Sequence, residues 1–316
     1  MKGAVKNIFY CVLSSAIIIM SAINPGCSHT KTKGVNTDMN TEKKESISQL
    51  ENLCPPELFE HRDNSKYGEL RHVKYNSKTC GMERAFNILL PANYDESKKY
   101  PVFYMIHGIF GDENSFTGDV NMHIKELFGN MTEDGICEEM FVVFPNMFAA
   151  TDPNMKPSFS DEAVWCYDNF INELTADLMP FIEANFNVKT GRENTAICGF
   201  SMGGRETLYI TIQRPDLAAY VGAIAPAPGL VPSRDWAMQH KGMLAEEQIK
   251  YSEPLPKVLM VCCGTNDGTV GKYPLTYHNL LEKNGTEHYW YEVQGADHDN
   301  NAIRSGLYHI LQFAFR

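Results

Sequence analysis

The chain has 316 residues, of which 43% are hydrophobic, 11% aromatic and 21% charged; that much apolar bulk supplies a packed core and excludes a fibrous or wholly disordered protein. Its 28 Lys and Arg against 39 Asp and Glu leave a net charge of -11. Such a surface repels a phosphate backbone on average, so nucleic acid is not an expected partner.

The first element in chain order stands outside the fold. Lys2 and Lys6 precede an apolar run from Ile8 to Ile23, 16 residues long and closed by Pro25-Gly26-Cys27. The run is shorter than the roughly 20 residues of a spanning helix, and a positive head followed by such a run is the layout of an export signal. Gly26-Cys27 matches the end of a bacterial lipoprotein signal, which makes Cys27 the expected lipidation site; Asn24-Pro25 departs from the usual Leu followed by Ala or Ser, and a secreted form or an uncleaved anchor is the alternative. Residues 28–50 are polar, lysine-rich and free of aromatics, the composition of a flexible tether. Residues 51–316 contain no second linker, internal repeat or spanning segment, so a single catalytic domain is expected, in contact with membrane only through its N-terminal anchor.

Within that domain short apolar runs alternate with segments of helical period, the pattern of a mainly parallel sheet with helices on both faces, an α/β fold. Strands are expected at about Phe86 to Leu90, Val102 to Ile106, Met140 to Phe144, Thr195 to Cys198, Tyr220 to Ala225, Lys257 to Cys262 and Tyr289 to Val293. Helices are expected at His123 to Asn130, Glu162 to Phe186, Met202 to Gln213, Tyr273 to Lys283 and Ile303 to Phe315. In the longest, Val164, Tyr167, Ile171, Leu174, Leu178 and Ile182 form one apolar stripe, and Pro180 should kink or restart it. Of nine cysteines, Cys11 lies in the signal and Cys27 at its end. Cys198, Cys262 and Cys263 read as buried thiols, whereas Cys54, Cys80, Cys137 and Cys166 could include a disulfide. No CxxC pair or histidine cluster carries zinc spacing, and neither metal nor cofactor is expected.

Gly199-Phe200-Ser201-Met202-Gly203 follows the apolar run TAIC and opens a helix. A G-x-S-x-G sequence in that context is a nucleophile elbow: the sharp strand-to-helix turn lifts the serine hydroxyl above the sheet edge, and the glycines let neighbouring backbone pass. A serine hydroxyl needs a base to take its proton and a carboxylate to orient that base. The run KVLMVCC ends in Gly264-Thr265-Asn266-Asp267, and YWYEV ends in Gln294-Gly295-Ala296-Asp297-His298-Asp299, which sets Asp267 and His298 in loops at the carboxyl edge. Asp297 and Asp299 sit too close in sequence to reach round the ring of His298 and read as turn formers or helix caps. The two oxyanion donors are assigned to the N–H of Met202 and that of Ile109 in His107-Gly108-Ile109-Phe110-Gly111, with Phe110 as the near alternative and His107 as a structural histidine beside the site.

Taken together, YPVFYMIHGIFGDE, AICGFSMGG, CGTNDGTV and EVQGADHD resemble the feruloyl and acetyl-xylan esterases of carbohydrate esterase family one, related to the esterase D group. The resemblance runs from about Arg84 to Arg316. It implies an α/β-hydrolase fold, Ser201 as nucleophile, Asp267 as acid, His298 as base, and Ile109 with Met202 as oxyanion donors. One departure concerns the acyl pocket: members often carry a tryptophan a few residues beyond the histidine, where this chain has Asn300-Asn301-Ala302-Ile303.

The implied activity is hydrolysis of feruloyl or acetyl esters on a plant cell-wall polysaccharide such as xylan, through an acyl-enzyme on Ser201. Phe148, Phe159 and Trp236, in irregular segments near the site, are candidates to stack on a phenolic acid or sugar ring. Two alternatives use the same scaffold. An acyltransferase would pass the acyl group to a sugar, and a non-catalytic surface-binding protein would not use the triad at all.

Overall fold

The computed structural model describes residues 53–316; the expected export signal, Cys27 and the whole of the tether lie outside them. Ten strands follow one another: Leu70–Ser77 (β1), Met82–Leu89 (β2), Val102–Ile106 (β3), Phe141–Pro145 (β4), Thr195–Phe200 (β5), Tyr220–Ile224 (β6), Ser233–Arg234 (β7), Gln239–His240 (β8), Val258–Gly264 (β9) and Tyr289–Val293 (β10). Eight of them form one sheet in the order β1-β2-β4-β3-β5-β6-β9-β10, while β7 and β8 pair as a separate two-stranded ribbon. From β4 to β10 neighbouring strands run parallel; β1 and β2 add antiparallel strands at one edge.

Helices Ile124–Glu133 (α1), Asp161–Asp168 (α2), Phe170–Glu173 (α3), Met179–Asn185 (α4), Met202–Gln213 (α5), Tyr273–Lys283 (α6) and Asn300–Leu311 (α7) cover the sheet. Each strand pleats side chains alternately to its two faces, so a strand buried on both must be apolar throughout. In β3 the side chains of Phe103 and Met105 enter one core, shared with α1 and α7, and those of Val102, Tyr104 and Ile106 enter the other, shared with α2 to α4. On α1, Ile124, Leu127, Phe128 and Met131 are all buried, each worth about 1.5–3 kcal/mol of transfer free energy. This is the α/β-hydrolase fold.

Three expectations need correction. The strand β1 was not expected: LRHVKYNS carries charge and polarity on its open side, as an edge strand does, and lacks an apolar run. The single helix expected from Glu162 to Phe186 is α2, α3 and α4, with a π-helical turn at Leu174–Leu178 before Pro180, which occupies the first turn of α4; a ring with no N–H is tolerated there and not in a helix interior. None of Cys54, Cys80, Cys137 and Cys166 is paired; all seven cysteines of the described residues are free and buried.

Candidate active site

Between β5 and α5 the chain reverses within one residue. Ser201 takes φ 58° and ψ -119°, a positive-φ conformation that costs a side-chain-bearing residue about 1–3 kcal/mol. It is held by Ser201 N–H donating to the Ile224 carbonyl at 2.9 Å, and by the Ser201 carbonyl accepting from Ala227 N–H at 2.9 Å and Arg205 N–H at 3.0 Å. The flanking glycines are obligatory for a steric reason. A Cβ at Gly199 would lie 2.2 Å from the Gly203 carbonyl oxygen, and one at Gly203 would lie 2.2 Å from that of Ile106.

The parallel order β5-β6-β9-β10 brings the loops after β5, β9 and β10 to one edge, where α/β sheets bind ligands. The last two loops are tied together: Asn266 N–H donates to the Ala296 carbonyl at 3.0 Å, and Gly295 N–H to the Thr265 hydroxyl at 2.9 Å. Across that tie His298 Nδ1 meets Asp267 Oδ2 at 2.8 Å. The other oxygen of Asp267 accepts the N–H groups of Thr269 and Val270 at 3.0 and 3.1 Å, so a side chain only 1% exposed finds its hydrogen-bond partners within the protein. Asp297 accepts from the His298 N–H, and Asp299 caps α7 through the N–H groups of Asn301 and Ala302; neither is the ring's partner. The imidazole lies against the Phe200 ring, 4.3 Å between centroids, next to the elbow serine. Ser201 Oγ and His298 Nε2 make no hydrogen bond to other described residues; catalytic bonds of this kind often tighten only when substrate binds.

The loop after β3 supplies the opposite wall. Gly108 approaches the serine so closely that a Cβ there would sit 3.3 Å from Ser201 Cβ. Phe110 N–H donates to the Tyr167 hydroxyl at 3.0 Å and is spoken for, while Ile109 N–H has no partner among the described residues. Met202 opens α5, so its N–H precedes the helix's own hydrogen bonds. His107 is buried, and burial pushes its pKa down to about 4, leaving the ring neutral. Its Nε2 accepts from Met147 N–H at 3.0 Å, which puts the ring proton on Nδ1, where it bonds the Gly108 carbonyl at 2.6 Å. Arg84 braces the segment behind, donating to the carbonyls of Asn146 and Phe148 at 2.7 and 2.8 Å, and its Nε lies 3.8 Å from buried Glu173.

Of the three aromatic candidates, the structure joins two and separates one. Phe159 and Trp236 pack edge to face at 5.4 Å, and Phe159 also meets Phe110 of the loop after β3 at 5.1 Å; Trp236 is 75% exposed. Phe148 is buried against Tyr167 and supports the wall from behind, so it presents no face to a ligand. At the position of the missing tryptophan, Asn300 donates to Asp119 at 2.9 Å and Arg304 to the Asn121 carbonyl at 2.9 Å, tying α7 to the loop beyond Gly111.

Sequence reasoning overlooked a buried charge cluster one turn after the serine. Arg205 pairs with Glu206 beside it and with Asp168 of α2. One cation between two carboxyls neutralises one of them; burial raises the pKa of Glu206 to about 7, and Asp168 is raised for the same reason. The signal was available in the adjacent Arg-Glu pair set in an otherwise uncharged helix. Arg84, Tyr167 and Glu173 had no such signal, because their roles depend on contacts far apart in sequence.

An elbow serine and an acid-anchored imidazole on one edge of this sheet define a serine hydrolase of the α/β-hydrolase class. The chain belongs to the Esterase family, whose pattern matches residues 77–309, and within it to carbohydrate esterase family one. It is similar to the CE1 ferulic acid esterase of Anaeromyces mucronatus, solved in complex with ferulic acid: 42% identity, TM-score 0.81, covering 84% of this chain and 98% of that one. It is also similar to the endo-1,4-beta-xylanase/feruloyl esterase of Xylanibacter ruminicola, 26% identical over 220 residues, which are 68% of this chain and 27% of that protein. The match thus spans about a quarter of that relative's length. A feruloyl esterase module of Clostridium thermocellum, complexed with sinapinate, shares the fold at TM-score 0.58 and 19% identity.

Proposed function

We propose that this chain hydrolyses feruloyl or acetyl esters carried by plant cell-wall polysaccharide such as xylan. The observation that carries the reading is the 42% identity to a ferulic acid esterase across 84% of the chain; the 2.8 Å bond between Asp267 and His298 supports the chemistry. Ser201 Oγ attacks the ester carbonyl as His298 Nε2 takes its proton, and Asp267 steadies the imidazolium that forms. The tetrahedral oxyanion is received by the N–H groups of Ile109 and Met202. The C–O bond to the sugar then breaks, the alcohol leaves with the proton from His298, and water repeats the sequence on the acyl-serine to release the acid. Phe159 and Trp236 give the rim an aromatic surface for the acyl group or its sugar. Export by the N-terminal signal and lipidation at Cys27 would hold the enzyme where polymer is met.

Assays of the mature chain on methyl ferulate, acetylated xylan and a short aryl ester, run side by side, test the reading. Activity on at least one, lost with Ser201→Ala, is the expected result; no activity on any of the three from folded protein would overturn it.

A further inference from the structure

Beyond the aromatic rim, α2 carries a feature that ester chemistry does not use. Trp165 is 52% exposed and forms the shared wall of three adjoining depressions of about 370, 550 and 250 Å³. Burying an indole is worth several times more than burying a small side chain, so a large ring left half in water at a concave surface has a face to offer. Its N–H has no partner among the described residues.

The chemistry around it selects the ligand. Every cation around it is paired, Lys241 with Asp161 at 2.5 Å, Arg205 with Asp168 and Arg214 with Asp216 at 2.8 Å, while Asp152 and Glu162 line the first depression without a cation among the described residues. Besides the Glu162 carboxylate, the groups left unengaged are uncharged: the indole face and N–H, the Gln213 carboxamide, and the side-chain carbonyl oxygen of Asn172, whose amide nitrogen is given to Asn169. A flat aromatic surface bordered by amide groups and carboxylate acceptors suits a ring with an apolar C–H face and an equatorial belt of hydroxyls that can donate. A net charge of -11 disfavours a polyanion.

The groove and the elbow share one frame. Tyr167, two residues from Trp165, accepts the Phe110 N–H of the oxyanion loop at 3.0 Å, and Asp168 holds Arg205, whose N–H bonds the Ser201 carbonyl. We infer that the depression around Trp165 is a glycan subsite, which holds the unesterified stretch of a neutral polysaccharide chain while the acyl group of that chain lies at Ser201. This rests on the proposed esterase activity, and it adds a site that a small ester never touches.

Two measurements on the mature chain test it. In the first, kcat/KM is compared on methyl ferulate and on a feruloylated arabinoxylo-oligosaccharide. Trp165→Ala should leave methyl ferulate within about two-fold and lower the oligosaccharide value by about 5- to 10-fold, through KM, with Trp165→Phe restoring most of it. An equal effect on both substrates, or none on either, overturns the subsite. The second is saturation-transfer NMR with unesterified xylo-oligosaccharide on Ser201→Ala protein, which reads the subsite without catalysis. Transfer to sugar protons that disappears when Trp165→Ala is added supports it; no transfer, or transfer that survives the substitution, overturns it. If the intact enzyme is inactive on every ester yet the sugar binds at Trp165, the esterase reading fails and the subsite stands.

Discussion

Two walls flank Ser201, and they are built on opposite terms. The wall formed by the loop after β3, proposed to receive the oxyanion, is buried and cross-braced: Arg84 grips two carbonyls of the 146–148 segment, Met147 fixes the tautomer of His107, and His107 fixes the Gly108 carbonyl. The other wall is the ribbon of β7 and β8, two residues in each strand, with Trp236 at its turn 75% exposed. Its order comes mainly from Asp235, which accepts from Ala237 N–H and Met238 N–H and pairs with His240 at 2.9 Å, and from Tyr273 donating to the Arg234 carbonyl. A wall that must stabilise a developing charge needs dipoles fixed in advance. A wall that meets varied substrate needs apolar surface on a segment with little buried contact to restrain it. On the proposed function, chemistry falls to the first wall and selectivity to the second.

Substitutions separate the two. Ser201→Ala should lower kcat by about 10⁴-fold or more on every ester, and Asp267→Asn, which can hold the wrong tautomer of His298, by about 10³- to 10⁴-fold; steady-state kinetics on protein with unchanged circular dichroism checks both. His107→Ala frees the Gly108 carbonyl without removing a donor, so its cost in kcat should be about 10- to 100-fold, below that of losing an oxyanion donor outright, with KM little changed. Trp236→Ala, on the other wall, should show the reverse split: KM for an aromatic ester up by about 3- to 10-fold and kcat within a factor of two. If His107→Ala moves KM and Trp236→Ala moves kcat, the division of labour is wrong.

The smallest effect concerns stability. Glu206, ordinarily titrating near 4.5, is held protonated up to about 7 in the fold. Between those values the folded chain keeps a proton that the unfolded chain releases, so this residue lowers stability as pH rises. Glu206→Gln removes the titration. The difference in Tm between variant and parent should grow in the variant's favour from pH 4.5 to 7 and then level off; a difference independent of pH would place the proton elsewhere.

How much of this could be read beforehand follows the same division. The expected α5 and α6 match the structure to the residue, and strands such as Val102 to Ile106 were visible as apolar runs, because a strand buried on both faces leaves no other pattern. The loops that carry Ser201, Asp267 and His298 were legible for a local reason: each follows such a run, and an elbow needs its glycines where they stand. β1 was not legible because half its surface faces water. The break between α2 and α4 was not either, since the apolar stripe continues through the π-turn and only the fold decides where the axis shifts. Nor could sequence say that Phe148 points inward while Phe159 and Trp236 stay at the rim, because identical residue types in irregular segments carry no period. The brace from Arg84 through Met147 to His107 joins residues tens of positions apart and exists only once β2, β3 and β4 are paired.

The central claim is that Ser201 carries the acyl group midway through turnover. Rapid-quench mass spectrometry of the enzyme mixed with an activated feruloyl ester reads this directly. The account predicts an added mass of one feruloyl group on the peptide containing Ser201, formed faster than it decays and absent in Ser201→Ala. Turnover at the parent rate with no adduct at that peptide, or an adduct that persists in Ser201→Ala, would contradict it.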